Sequence, residues 1–276
     1  MQVGMSTACF YPAPTEDAAR WAAELGVEEI EVFFNAESEF SPTFLQPLRR
    51  YLDGAGVRVK SFHPYTSALE GLLLFSDYDR RTRDALDQYE RYFEGAASLG
   101  ARYCTFHGER DMPVVFQEET TARLAETYHR LCERAARCGM TIAQENVAWC
   151  KSSRPEYLRV LRERVPELRY TLDIKQAYRA RRRPDEYLAV MGDRLVNVHL
   201  NDFDAEHSCL LPGEGHFDFV SLFSALRALG YDDSVLIEVY STNYQGRDQL
   251  ARSIRSLKQL VSPCFLDKIC YTDSEM

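Results

Sequence analysis

Short apolar segments rich in β-branched residues alternate along this chain with longer stretches whose apolar residues recur every three or four positions. This is the pattern of repeated βα units around a parallel sheet. The segments predicted as strands are Gln2–Ser6, Glu28–Phe33, Val57–His63, Arg102–His107, Met140–Asn146, Leu168–Asp173, Leu195–Leu200 and Ser234–Tyr240. The helical spacing predicts helices over Thr15–Leu25, Pro42–Ala55, Arg80–Leu99, Glu118–Cys138, Pro155–Arg164, Pro184–Met191, Phe217–Leu229 and Tyr244–Leu260. Gly26, Gly56, Gly100, Gly139 and Gly230 follow helices where a left-handed residue closes the last turn, and Pro155 and Pro184 suit a first helical position. Joins such as LGVEEIEV, AGVRVKSF and LGARYCTF leave one or two residues between helix and strand, so each helix packs on its own strand.

Eight such units in 276 residues approach the roughly 250 typical of one barrel, and the expected fold is an α/β, single-domain (β/α)8 TIM barrel. No low-complexity linker breaks the series, which places the barrel at 1–261 and a polar tail at 262–276, with Pro263 stopping the last helix.

Composition narrows the partners. A net charge of −9 speaks against broad binding of a phosphate backbone, so no nucleic-acid partner is expected. No apolar run approaches the roughly 18 residues of a membrane span, and the N-terminus lacks a signal peptide's sequence of regions. The eight cysteines show neither CxxC pairing nor framework spacing, which fits reduced thiols and a cytoplasmic location.

The chemistry collects at the predicted strand ends. Strands three and four end in His63 and His107, five in Glu145, six in Asp173, seven in His199 with Asp202 just beyond, and eight in Glu238. In a parallel barrel these ends face one mouth. Taken singly, each is as well read as a lone polar residue bonded to backbone or water. Together, several acidic groups in one mouth repel unless a cation neutralises them. Glu145, Asp173, His199 and Glu238 come from four consecutive strands and offer oxygen and imidazole donors that suit one divalent ion, Mn2+, Mg2+, Co2+ or Zn2+. Glu145 and Glu238 are the candidate acid/base pair, placed to move a proton beside a carbonyl through a metal-stabilised enediolate.

The motifs HGE at His107, QEN at Glu145, LDIKQA at Asp173, NVHLND at His199, LLPGEGHFDF over Leu210–Phe219 and IEVY at Glu238 resemble the xylose-isomerase-like barrel superfamily, over nearly the whole chain before the tail. That superfamily includes sugar epimerases and isomerases, inosose dehydratases and the endonuclease IV type of repair enzyme. The resemblance implies that Glu145, Asp173, His199 and Glu238 hold the catalytic metal. It implies that the two glutamates are the acid/base pair of the epimerase branch, and that His63 and His107 contact substrate or an additional metal. It also implies that the Pro212–Phe219 loop closes near the site and brings His216 to the substrate; read alone, the loop is a tight turn with Asp218 at the next helix start.

Gln176 stands where many relatives carry a histidine, which argues against the endonuclease branch's three-metal arrangement. Lys175 is either a surface residue or a substrate hydrogen-bond donor and charge partner of Glu145 or Asp173. Trp21 reads as core and Trp149 as a wall of the sugar pocket, so the expected substrate contacts are His63, His107, Trp149, Lys175, Gln176, Asp202 and His216. Arg179, Arg181, Arg182 and Arg183 form either a phosphate site or a solvated charge run. The expected activity is a metal-dependent isomerase or epimerase of a sugar, sugar phosphate or cyclitol. An inosose-dehydratase-like lyase, an endonuclease IV-like phosphodiesterase and a non-catalytic sugar-binding barrel are the alternatives, and homo-oligomerisation is left open.

Overall fold

The computed structural model describes residues 1–111 and 118–262, excepting the side chains of 118–121. The expected tail beyond 262 lies outside the described residues. Eight strands, β1 (Val3–Ser6), β2 (Glu29–Phe33), β3 (Arg58–His63), β4 (Tyr103–Phe106), β5 (Thr141–Glu145), β6 (Arg169–Asp173), β7 (Leu195–Leu200) and β8 (Val235–Ile237), close a parallel barrel in sequence order. β8 pairs with β1 through Val3–Val235, Gly4–Leu236 and Met5–Ile237. The register slips by a residue at Ile30/Glu31 against β3 and at Tyr170/Thr171 against β7.

The helices are α1 (Thr15–Glu24), α2 (Pro42–Ala55), α3 (Glu70–Leu73), α4 (Asp79–Ser98), α5 (Glu118–Arg137), α6 (Pro155–Arg164), α7 (Ile174–Arg179), α8 (Pro184–Met191), α9 (Phe219–Ala228) and α10 (Arg247–Leu260). Eight match the predicted amphipathic segments to within about three residues at either end. The one-turn α3 and the short α7 are additions, each rising from a strand end at the mouth. α2 closes on Gly56 at φ 71°, a conformation that costs a side-chain-bearing residue about 1 kcal/mol or more.

The apolar core lies between the helices and the outer face of the barrel, with Leu45, Leu48, Leu86, Phe93, Leu131, Leu158 and Phe223 among its buried side chains. Trp21 packs on its margin, its ring 5.6 Å from that of Phe10. Inside the barrel the filling is polar: Ser6, Glu31, Lys60, Ser61, Thr105, Asn197 and His199 are all fully buried. Cys9, Cys104, Cys132, Cys138, Cys150 and Cys209 are free thiols. No described helix is long and apolar enough to cross a membrane.

Candidate metal centre and substrate cavity

Glu145 ends β5, Asp173 ends β6, His199 is the penultimate residue of β7 and Glu238 follows β8 directly. One ligand atom from each lies within 4.8 Å of those of the other three. His199 Nδ1 is 3.3 Å from Glu238 Oε2, 3.7 Å from Glu145 Oε1 and 3.9 Å from Asp173 Oδ2.

The motifs explain how backbone and neighbours aim these groups. Because side chains alternate along a strand, Glu145 facing the barrel mouth turns Gln144 outward toward the helices. Gln144 Nε2 donates to the carbonyls of Phe106, His107 and Glu145, and its Oε1 accepts the Tyr128 hydroxyl of α5. Asn146 clasps the end of β6, accepting from Asp173 N at 2.7 Å and donating to Asp173 O at 2.9 Å. The QEN triplet thus ties the ends of β4, β5 and β6 together. Gly108 of HGE turns at φ 80°, and a Cβ there would come within 2.5 Å of the Tyr128 hydroxyl and 2.6 Å of Gln144 Oε1. Buried Glu70 on α3 accepts the N–H groups of His107 and Gly108 at 2.7 and 2.8 Å, fixing the start of that loop.

Asp173 caps α7, and its Oδ1 accepts from Gln176 N and Asn201 Nδ2. Its Oδ2 and His199 Nδ1 are buried without a hydrogen bond, and both point to the space bounded by Glu145 and Glu238. Buried polar atoms are rarely left so, and these oxygen and nitrogen donors fit a hard-to-borderline divalent cation. Lys175 also reaches this space, with Nζ 2.9 Å from Glu238 Oε2 and 3.3 Å from Asp173 Oδ2. It is therefore buried, and its charge partners are Asp173 and Glu238 rather than Glu145.

The titration behaviour follows. Burial pushes the Asp173 carboxyl up to about 8, against the opposing charge of Lys175. Burial acts the same way on Glu145 and Glu238. The imidazoles of His107 and His199 close beside Glu145, and the charges of Lys175 and His199 beside Glu238, overcome it and hold both well below the usual carboxylate range. His199 loses solvation too, yet Glu31 and Glu238 raise it well above an ordinary imidazole. His63 and His107 meet at 2.9 Å through their Nε2 atoms, with His107 Nε2 3.1 Å from Glu145 Oε2. Despite burial, the neighbouring carboxylates of Glu145 and Glu31 raise His63, whereas burial lowers His107, as expected where two imidazoles share one proton's worth of space.

A cavity of about 410 Å³ opens above the cluster, lined by Glu145, Glu238, His63, His107, Lys175 and Gln176 together with Tyr11, Phe33, Asn35, Tyr65 and Tyr240. Three expected substrate contacts do not line it. Trp149 is exposed and packs edge-on against His107 at 5.3 Å, outside the lining. Asp202 is buried and saturated by the N–H groups of Phe203, Gly213 and Phe217, so it staples the Pro212–Phe219 loop. His216 on that loop is exposed, with its backbone N–H on the Phe203 carbonyl. Asp218 caps α9 as expected, accepting from Ser221 N at 3.0 Å. Of the arginine run, Arg182 and Arg183 pair with Glu186 and Asp185, while Arg179 donates to the Tyr240 hydroxyl beside the cavity.

Sequence reasoning missed the aromatic wall and Glu31. Phe33, at the end of a predicted strand, carried the same positional signal as the other strand-end residues. Glu31, fully buried in β2, was visible as a charge within the apolar run EIEVFF.

Comparison with known proteins agrees with this architecture. The family description "xylose isomerase-like TIM barrel" matches residues 19–260, and the chain belongs to that family. Fructoselysine 3-epimerase of Escherichia coli O157:H7 is 25% identical over 260 residues, spanning 91% of this chain and 94% of that protein. The 3-dehydroshikimate dehydratase of Pseudomonas putida is 22% identical over 86% of this chain and 38% of its own length. Among solved structures, a D-tagatose 3-epimerase-like protein superimposes with a TM-score of 0.80 at 21% identity, covering 98% of this chain and all of that one.

Proposed function

We propose that this chain is a divalent-metal-dependent sugar epimerase or isomerase that moves a proton at the carbon beside a carbonyl. The observation that carries this reading is the placement of Glu145 and Glu238 around one shared point, on the floor of a cavity with aromatic walls. Held by Glu145, Asp173, His199 and Glu238, a divalent cation would withdraw electron density from the carbonyl and adjacent hydroxyl oxygens and so acidify the intervening C–H. Glu145 accepts that proton while the C–H electron pair moves toward the carbonyl oxygen. Glu238 relays a proton from Lys175, whose Nζ lies 2.9 Å from Glu238 Oε2, to the opposite side of that carbon. Tyr11, Phe33, Tyr65 and Tyr240 line the cavity with aromatic surface that suits the apolar side of a sugar and keeps water from the reacting carbon.

The epimerase relatives support a ketose, free or carrying an amine substituent, as substrate. The dehydratase relative favours a second reading, in which the same carbanion expels a neighbouring hydroxyl as water. Metal-loaded protein incubated in deuterated water with free ketoses, ketose phosphates, cyclitol ketones and fructosamines tests both. Solvent deuterium beside the carbonyl of a sugar of otherwise unchanged composition is expected. A product lighter by one water selects the lyase, and no deuterium in any compound of the panel overturns both.

A further inference from the structure

Below the metal centre the barrel holds a fully buried carboxylate with no route to substrate. Glu31 accepts the hydroxyls of Ser61 and Thr105 at 2.8 and 2.6 Å on Oε2 and that of Ser6 at 3.3 Å on Oε1. His199 Nε2 stands 3.3 Å from both of its oxygens, while His199 Nδ1 faces the candidate ligand atoms above. The imidazole is therefore clasped between a carboxylate on one nitrogen and the proposed cation on the other.

Asn197 makes the arrangement a choice between two proton positions. Its Nδ2 is 3.1 Å from His199 Nε2 and 3.3 Å from Glu31 Oε2. If Nε2 accepted the Asn197 N–H, a neutral imidazole would carry its proton on Nδ1, where it would block a metal. An ionised carboxylate has only acceptor oxygens and demands the proton on Nε2. We infer that Glu31 is a positioning residue that keeps the His199 proton on Nε2 and so presents Nδ1 as a ligand. This inference rests on the metal-centre reading above. Carboxylates behind metal-bound histidines change affinity by about 10–100-fold when removed.

Glu31→Gln is close to isosteric and can present an N–H₂ to Nε2, which reverses the demand. In metal-free full-length protein titrated with Zn2+ alone against a chelating indicator, the variant is expected to bind about 10–100-fold more weakly. Nitrogen-15 shifts of the Zn2+-loaded wild type, with His199 assigned by its loss in His199→Gln, are expected to show the proton on Nε2. Wild-type affinity in Glu31→Gln, with or without lowered thermal stability, overturns the inference. So does a wild-type proton on Nδ1, a measurement that stands even if the variant does not fold. If His199→Gln also keeps wild-type affinity, the metal-centre reading itself is what fails.

Discussion

At the amino-terminal end of the barrel the Lys60 ammonium is fully buried, and its three protons meet three oxygens: Tyr231 Oη at 3.0 Å, the Ser234 carbonyl at 2.8 Å and Ser234 Oγ at 3.1 Å. At the carboxyl-terminal end Glu145, Asp173, His199 and Lys175 are buried beside the half-buried Glu238, but Asp173 Oδ2 and His199 Nδ1 are left without hydrogen bonds and the carboxyl of Asp173 is driven to about 8. Burying a charge is tolerable when its bonding capacity is met, as at Lys60. A cluster left short of partners is arranged for something that arrives later. The same interior thus contains a charge that plugs the barrel and a set that, on the function proposed above, would take up a cation and a substrate.

The largest expected effect breaks the comparison at the end proposed to be catalytic. Glu145→Gln keeps shape and volume but removes the proton acceptor, and should lower solvent-proton exchange into the sugar by about a thousandfold. Circular dichroism and the melting temperature should stay near wild type. A variant that exchanges protons at the wild-type rate removes Glu145 from its role.

The next effect sharpens the contrast between satisfied and unsatisfied charge. A cation added at a hundred times its dissociation constant should raise the wild type's stability by about 2.7 kcal/mol, seen as several degrees in the melting temperature and reversed by a chelator. Asp173→Asn should abolish most of that gain. Because Asp173 already favours its neutral acid in the metal-free fold, the amide should change metal-free stability by only about 1 kcal/mol. An undiminished metal response in Asp173→Asn would show that the cation binds elsewhere.

How far the sequence foretold this follows from what a strand-end position can reveal. Eight strands, eight long helices and their order were legible because the apolar period switches between 2 and 3.6 at each join, and glycine marks most helix ends. The convergence of Glu145, Asp173, His199 and Glu238 was legible because barrel geometry brings the carboxyl ends of strands together. Position along the chain says less about direction after a strand has ended. Asp202 lies two residues beyond β7, where its carboxylate turns back onto three loop N–H groups, and His216 leaves the mouth for solvent. Tyr11 and Tyr65 reach the cavity from irregular segments that carry no period, and Tyr240, expected to end a strand, lies beyond β8, which stops at Ile237. Glu31 was visible as a charge within EIEVFF, but its alignment with β3 depends on the register slip beside Ile30.

The smallest effect tests the plug. Burial lowers the Lys60 amine to about 8, with Asp233 pulling the other way, against an unfolded value of 10.5. A base with a depressed folded pKa binds its proton more tightly when unfolded, so the fold's preference for the neutral amine is lost as pH falls through about 8 and fully present above 10.5. Between pH 7 and pH 9 the wild type should therefore gain on the order of 1 kcal/mol relative to Lys60→Met, whose side chain does not titrate. Denaturant melts of the two proteins at both pH values measure the difference directly, and metal affinity should be the same in both. A pH-independent difference would mean that Lys60 keeps an ordinary amine pKa despite its burial. A loss of metal affinity would mean that the two ends of the barrel are coupled through the Ser61, Thr105 and Glu31 layer that separates them.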